Sequence, residues 1–299
     1  MQLTKINGST YYLPAPTNIG VFQFKDKYTL LIDSGDNNRQ ARKLAEVIQV
    51  GGLNIKYIVN THNHPDHAGG NLFFQEHYPG SQFYSSEHEK LFLENSLLFP
   101  MYLYGGRPIR ELARYFVKSK TLQVDEILLP GNYKINDEKF EIIPLPGHAW
   151  GQMGIGTRDR VFFLGDALFS REIIGKYSFP FLFAIEDQLE TYNTIAGLDY
   201  DWFVLGHAAQ LYPQDEIQAL VDFNRDNLQF YLNLVRDLLA QPHTREELLE
   251  EICILQELEL DFKEYYFSHA TIGAMVAYLH DHQELAWQLE NGKLYFYIE

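Results

Sequence analysis

The sequence has 299 residues, 46% of them hydrophobic and 21% charged, which is typical of a globular chain with one large domain and a smaller one. No apolar run approaches the roughly 20 residues that a membrane-spanning helix needs, so we expect no membrane segment. The formal net charge of −16 argues against nucleic acid as a partner, because binding to phosphates rests mainly on lysine and arginine.

The first two thirds of the chain alternate predicted strands with predicted helices. Apolar residues at positions 41, 44, 45 and 48 have helical spacing, and a Gly-Gly pair at 51–52 ends that helix. Strands are predicted at residues 21–24, 28–32, 57–59, 141–145, 154–156, 161–164 and 202–205. This alternation predicts an α/β fold, in which binding loops gather at the strand ends.

Residues 86–120 interrupt this alternation with an aromatic and basic stretch that includes Phe99, Tyr102 and Arg107. We interpret it as an inserted pair of helices that packs on the core. The alternative is a lid over the active site, because long insertions often serve as lids.

From residue 213 onward the pattern becomes mainly helical. Apolar residues recur between Ile217 and Leu239 as one stripe of a long helix. Thr244 and Glu247 have the spacing of a capping box, which predicts the start of a second helix.

A third amphipathic helix is predicted around residues 272–279, with Ser268 as its candidate N-cap. Alternating apolar residues on both sides of Asn291-Gly292 then predict a β-hairpin. Helices followed by a hairpin indicate a winged-helix-like module at residues 213–299, after a main domain at residues 1–212.

Residues 61–70 carry the densest set of metal ligands in the sequence. His62, His64, Asp66 and His67 lie there, directly after a predicted strand. Imidazole nitrogen and carboxylate oxygen suit Zn²⁺, and also Fe or Mn. In an extended segment His62 and His64 share a face, so both can reach one ion.

Three further ligand candidates each follow a predicted strand and a glycine. They are His148, Asp166 and His207. A glycine lets the loop turn sharply and direct the next side chain inward. These residues supply the ligands that two metal ions need beyond residues 61–70.

The H-x-H-x-D-H run, the later histidine, the aspartate and the last histidine stand in an order that resembles the metallo-β-lactamase superfamily, in particular its glyoxalase II-like and lactonase-like branches. The resemblance covers residues 8 to 212. It implies an αββα sandwich with the catalytic domain at residues 1–212. It also implies that one metal is bound by His62, His64 and His148, a second by Asp66, His67 and His207, and both by the bridging Asp166. Asp33 matches a family position that supports the metal-binding loops.

The expected chemistry is hydrolysis by a hydroxide that bridges two divalent metal ions, most simply Zn²⁺, because metal coordination lowers the pKa of water to about 7. The attacked group is the carbonyl of a small thioester, ester or lactone. Asp66 has a catalytic role, since it can orient the nucleophile or accept its proton. Trp150, close after His148, is expected to narrow the pocket and to disfavour a glutathione thioester.

Three other functions stay open at this point. Two metal ions also suit a phosphodiesterase or nuclease of the same superfamily, and iron would suit oxygen or redox chemistry. The non-enzyme alternative is a winged-helix regulator that binds DNA. From residue 213 onward there are 17 acidic and 5 basic residues, which argues against that alternative. The module could instead pack beside the active site or form a homodimer contact.

The remaining histidines and the single cysteine are predicted to be structural or exposed. These residues are His77, His88, His243, His269, His280, His282 and Cys253. The N-terminal segment lacks the apolar core of a secretion signal, and one cysteine forms no intrachain disulfide. A cytoplasmic location and a small-molecule substrate are therefore expected.

Overall fold

A computed structural model describes residues 2–118 and 120–298 of the chain. Two β-sheets pack face to face at the centre. The first has seven strands in the order β1(Thr4–Asn7), β2(Thr10–Leu13), β3(Ile19–Gln23), β4(Tyr28–Ile32), β5(Asn54–Val59), β6(Gln82–Ser85) and β7(Glu126–Ile127). The strands β1 to β4 pair antiparallel, whereas β4 to β7 pair parallel.

The second sheet has six strands and follows in the chain. Its members are β8(Gly131–Ile135), β9(Glu138–Pro144), β10(Met153–Thr157), β11(Val161–Gly165), β12(Trp202–Leu205) and β13(Tyr212–Pro213), and they lie side by side in that order. Only the β11–β12 pair is parallel. The parallel pairs place the ends of β5, β11 and β12 where loops can converge.

Helices cover the outer faces of both sheets. On the first sheet lie α1(Asn38–Val50) and α3(Asn71–His77), preceded by the short α2(Pro65–Ala68). On the second lie α8(Ile185–Ala196), α9(Gln214–Leu238), α10(Arg245–Leu255) and α11(Phe262–Asp281), with α7(Arg171–Lys176) near them. Aromatic residues such as Phe22, Phe140 and Phe163 fill the space between the sheets. The predicted αββα layering is confirmed.

The insertion contains three helices, where the sequence analysis expected a pair. They are α4(Glu87–Glu94), α5(Leu98–Tyr104) and α6(Arg110–Phe116). Phe99, Leu112 and Phe116 are buried in one cluster that also contacts Phe267 of α11. The insertion therefore packs against helix α11, and both interpretations of it stay predictions.

The C-terminal helices share a hydrophobic core with the second sheet. One cluster runs from Phe162 and Leu205 of the sheet to Leu232 of α9 and Ile272 of α11. The predicted hairpin is present as β14(Leu285–Glu290) and β15(Lys293–Ile298). The winged-helix assignment of this module stays a prediction.

The predicted N-cap of the third C-terminal helix is wrong. The helix α11 begins at Phe262, and Asp261 is its N-cap, with Glu264 completing a capping box. Ser268 is buried two turns into the helix. Asp261 and Glu264 have the same capping-box spacing as Thr244 and Glu247, so the start of α11 was also present in the sequence. Among the described residues, no helix is long and apolar enough to cross a bilayer.

Candidate metal centre

The seven predicted ligands lie together at one edge of the sandwich, in two clusters. The first contains His62, His64 and His148; the second contains Asp66, His67, Asp166 and His207. Within each cluster, one ligand atom from every residue lies within 4.8 Å of all the others. The loops after β5, β9, β11 and β12 deliver these side chains, so the predicted strand ends bring them to one place.

The first cluster consists of three buried imidazole rings. His148 Nε2 lies 2.8 Å from His64 Nδ1, while His148 Nδ1 bonds to the carbonyl oxygen of Phe181 at 2.9 Å. Burial lowers the pKa of all three rings, which keeps them neutral. Neutral imidazole is the form that binds a metal ion.

The second cluster combines two imidazoles with two carboxylates. The Nε2 atom of His207 lies 2.9 Å from Asp66 Oδ2 and 3.4 Å from Asp166 Oδ2. His67 Nε2 lies 3.2 Å from Asp166 Oδ1. Burial alone would lower the pKa of His207, but the neighbouring carboxylates outweigh burial and raise the pKa to about 10.

The carboxyls of Asp66 and Asp166 respond in the opposite direction. Burial would raise the pKa of each group, but His67 and His207 hold both pKa values below their usual range. Both groups are therefore ionised, as metal ligands must be.

Several buried atoms of these residues have no hydrogen-bond partner among the described residues. They include His62 Nε2, His67 Nε2 and Asp166 Oδ1. Leaving such atoms unpaired costs about 1–3 kcal/mol each, so the cluster needs a binding partner for them. Imidazole and carboxylate donors that converge on two points fit two divalent ions.

Neighbouring acceptors fix the orientation of the ligand rings. His67 Nδ1 lies 2.7 Å from Asp33 Oδ2, and His207 Nδ1 lies 2.6 Å from the carbonyl oxygen of Pro16. Asp33 also accepts hydrogen bonds from the backbone and hydroxyl of Thr61. These contacts give Asp33 the supporting position that the family resemblance implied, since such partners direct the other ring nitrogen toward a metal.

Gly206 is required by the close approach of the two ligand loops. A Cβ atom at this position would lie 2.2 Å from Asp166 Oδ1 and 2.7 Å from His67 Cε1. Any side chain here would displace both ligands.

Glu89 of α4 is a supporting residue that the sequence analysis missed. Its carboxylate is fully buried and accepts hydrogen bonds from the backbone and side-chain amides of Asn63, at 2.7 and 2.5 Å, and from the backbone of Gly151, at 2.8 Å. Asn63 stands between His62 and His64, and Gly151 follows His148. Glu89 therefore connects the two loops that carry the first cluster.

Glu89 was concealed by a local motif. Ser86 and Glu89 have capping-box spacing, which assigns such a glutamate to its own helix N-terminus. Ser86 does cap α4 by accepting from the backbone of Glu89, but the Glu89 side chain leaves the helix. A buried position for this acid could have been inferred only from the tertiary contacts.

The expectation for Trp150 is wrong. Its side chain stacks on His88, with ring centroids 4.1 Å apart, and lies near Phe183. Trp150 is not among the residues that line the cleft, so it does not narrow the pocket. Trp150 therefore does not disfavour a glutathione thioester.

The other histidines belong to neither ligand cluster in the described part of the chain. His77 bonds to the backbone of Phe73, and His269 pairs with Glu246. Cys253 is partly buried against the main core, and burial raises the pKa of its thiol. These residues therefore have the structural surroundings predicted for them.

A cleft of about 600 Å³ opens directly at the ligand clusters. His64, Asp66, His148, Asp166 and His207 form part of its lining, together with residues 169–181 and 257–268. None of the described residues of the insertion is among those that line this cleft. The lid interpretation of the insertion stays a prediction.

Comparisons with known proteins agree with this geometry. Residues 12–207 match the family model described as the metallo-beta-lactamase superfamily. Over 156 residues the chain is 31% identical to the hydroxyacylglutathione hydrolase GloC of Haemophilus influenzae, and the match covers 52% of this chain and 68% of that protein.

Two solved structures resemble nearly the whole chain. A β-lactamase domain protein from Burkholderia ambifaria has a TM-score of 0.79 at 16% identity, over 99% of this chain and 93% of that one. A metallo-β-lactamase family protein from Thermus thermophilus has a TM-score of 0.75 at 21% identity, over 97% of this chain and 99% of that one. These matches show a shared fold that includes the C-terminal helices and hairpin.

Proposed function

Because this chain belongs to the metallo-β-lactamase superfamily and is a hydrolase of that group, we propose that it is a dinuclear metal-dependent hydrolase of small thioesters, esters or lactones. The proposed native metal is Zn²⁺. The relative from Haemophilus influenzae is named as a hydrolase of hydroxyacylglutathione, which supports a carbonyl substrate.

The position of Asp166 carries this proposal. Its Oδ1 faces His67 in the second cluster, and its Oδ2 lies 3.7 Å from His148 Nε2 in the first. One carboxylate thus reaches both sets of ligands. Two separate mononuclear sites would not need such a shared residue.

The chain supplies the ligands and the surroundings of the reaction. His62, His64 and His148 would hold one ion, Asp66, His67 and His207 the second, and Asp166 both. When bound, two such ions lower the pKa of water to about 7 and polarise a carbonyl oxygen. Asp66 is fixed by His207 and by the Thr17 hydroxyl at 3.3 Å, and 39% of its side chain is exposed. We assign Asp66 the role of orienting the attacking water and accepting its proton.

The lining of the cleft favours a small-molecule substrate over a polymeric one. Apart from the metal ligands its lining includes two lysines, Lys176 and Lys263, and three glutamates. A channel for nucleic acid would need an excess of basic side chains along the phosphate path. A phosphodiester substrate is therefore disfavoured by the charge of this surface.

The test is metal content per chain, followed by a substrate screen. We expect about two equivalents of zinc by plasma mass spectrometry, and hydrolysis of thioesters or lactones that stops on chelation and returns with Zn²⁺. A chain that holds no metal after reconstitution would refute the dinuclear site. Cleavage of bis(p-nitrophenyl) phosphate, without any cleavage of thioesters or lactones, would replace the proposal by a phosphodiesterase. A dominant iron signal would redirect it to oxygen or redox chemistry.

A further inference from the structure

The wall of the cleft beside the first ligand cluster is aromatic. The ring of Phe181 lies 5.5 Å from that of His64 and 5.6 Å from that of His148. Phe169 lies 5.7 Å from His148, and Phe267 lies 6.3 Å from His64 and 5.0 Å from Phe181. All three phenylalanines line the cleft. A group attached to a carbonyl at this cluster therefore meets phenyl rings.

Charged residues stand farther out along the same cleft. Lys176, Glu257 and Glu259 line it and are exposed, whereas Phe169 is buried and Phe181 and Phe267 are half-buried. The cleft thus changes from apolar at the metal centre to charged at the solvent boundary. The exposed part of this lining, with two glutamates and one lysine, offers no net attraction to an anionic group.

Helices of the insertion pack against the aromatic wall. Phe267 packs against Phe99 of α5 and Phe116 of α6, with ring centroids 5.9 and 6.0 Å apart. Phe99 and Phe116 are themselves buried. The wall is therefore formed before a ligand binds. Because it is already ordered, binding costs less conformational entropy.

We propose that this wall is an acyl pocket that selects substrates with a bulky apolar acyl group, in particular an aromatic one, over short or hydroxylated acyl groups. The inference rests on the proposed hydrolase function and specifies its substrate class. A phenyl ring of the substrate would stack on Phe181 and Phe267 and leave water. A hydroxyacyl group would place its hydroxyl against rings that offer no strong hydrogen-bond partner.

The reaction on such a thioester is an ordinary hydrolysis. The oxygen of one water molecule bonds to the carbonyl carbon, and the carbon–sulfur bond breaks with its electron pair on sulfur. One proton of the water goes to the thiolate, and the products are a carboxylic acid and a thiol. No oxidant, reductant or further reactant takes part.

The experiment compares acyl groups on one uncharged thiol. S-acetyl, S-butyryl, S-hexanoyl, S-phenylacetyl and S-lactoyl thioesters of N-acetylcysteamine are assayed with the zinc-loaded full chain. We expect kcat/KM to rise by about tenfold or more from acetyl to phenylacetyl, because a buried ring contributes as much as several methylene groups. The S-lactoyl thioester, which carries a hydroxyacyl group, should be a poorer substrate than the phenylacetyl thioester.

Variants of Phe267 test whether the wall causes this preference. Phe267→Ala should lower the ratio of kcat/KM for the phenylacetyl thioester to kcat/KM for the acetyl thioester by about tenfold. Phe267→Leu keeps apolar volume and should give an intermediate loss. It replaces the alanine variant as the test if Phe267→Ala fails to fold. Tyr265→Ala is the matched control, because Tyr265 lies on the same helix, is exposed and does not line the cleft.

The outcomes separate this inference from the proposed function. Equal rates for acetyl and phenylacetyl, or a loss in Phe267→Leu that is the same for both substrates, would overturn the acyl pocket while leaving the hydrolase in place. A preference for the S-lactoyl thioester over the phenylacetyl thioester would overturn it as well. If the zinc-loaded protein cleaves none of the thioesters, and no lactone either, the proposed function itself fails. Zinc content and melting temperature are measured for every variant.

Discussion

The environment of Asp166 follows from its place at the end of β11. Gly165, with φ of 56°, turns the backbone there, and the absence of a side chain at Gly206 leaves room for the carboxylate between the two clusters. Its ionised state is stabilised by His67 and His207. A neutral residue at this position would remove both a shared ligand and the charge that two divalent ions need beside them.

We therefore expect Asp166→Ala to lower kcat/KM at least about 100-fold, with loss of bound zinc and an unchanged circular dichroism spectrum. Asp199→Ala is a suitable control, because Asp199 is an exposed partner of Arg160 outside the site. Wild-type zinc content in Asp166→Ala would contradict the bridging role.

Glu89 offers a different test at the residue scale, because it touches no ligand directly. Its carboxylate is buried without a cationic partner among the described residues and is held by three N–H donors. Burial raises its pKa, while those donors lower it. Removal of the acceptor would leave the amides of Asn63 and Gly151 unpaired and free the two loops from each other.

We expect Glu89→Ala to lower the free energy of unfolding by about 1–3 kcal/mol and to weaken zinc binding at one of the two sites by about 10–100-fold. Glu89→Gln keeps one acceptor oxygen and should retain part of the affinity. Glu87→Gln on the exposed side of the same helix is the control. Equal weakening of both zinc sites, measured by competitive chelator titration, would indicate a general loss of stability instead.

At the scale of elements, helix α11 links the fold to the cleft. Its N-terminal half contributes Phe267 to the cleft wall, and Thr271 accepts a hydrogen bond from the backbone of Leu182 at 3.0 Å. Leu182 follows Phe181, whose carbonyl oxygen orients His148. The start of α11 therefore influences both the wall and the first ligand cluster.

The two candidate N-caps of α11 make opposite predictions. Asp261→Ala removes the side chain that accepts from the backbone of Glu264 at 2.7 Å, and we expect a loss of about 0.5–2 kcal/mol in the free energy of unfolding. Ser268→Ala, in the helix interior, should cost less, because alanine is the better helix former. Urea unfolding of both variants tests this order, and a larger loss in Ser268→Ala would contradict the stabilising role assigned to the Asp261 cap.

At the scale of the whole molecule, the C-terminal module and the second sheet share one hydrophobic core. The module shares the main hydrophobic cluster with β11, β12 and α8. The side-chain amide of Asn224 in α9 also bonds to the backbone of Phe169, which lies three residues after Asp166. The amide oxygen accepts from the Phe169 N–H and the amide nitrogen donates to the Phe169 carbonyl oxygen, both at 2.9 Å. The module thereby supports the loops of the metal centre as well as the cleft.

A chain that stops at residue 212 should therefore not fold into a stable, zinc-binding protein. The outer face of the second sheet would be exposed, and an apolar surface of that kind leads to aggregation. We expect an insoluble product, or a soluble one without a cooperative thermal transition. Leu289→Ser at the exposed hairpin is a full-length control that should behave as wild type. A monomeric 1–212 fragment with two bound zinc ions would contradict this view.

The sequence by itself determined the layered α/β fold and the seven candidate ligands. Both follow from local sequence patterns, namely strands that end at a glycine and an unusually dense set of His and Asp residues. The start of α11 was also local, in the capping-box spacing of Asp261 and Glu264. The sequence could not determine the position of Glu89 or the direction of Trp150. In each case a nearby motif or neighbour suggested one environment, and packing against distant residues selected another. The cleft wall likewise joins Phe169 and Phe181 to Phe267, about 90 residues away. Only tertiary structure decides such contacts, because close packing of side chains, rather than local spacing, fixes which residues meet.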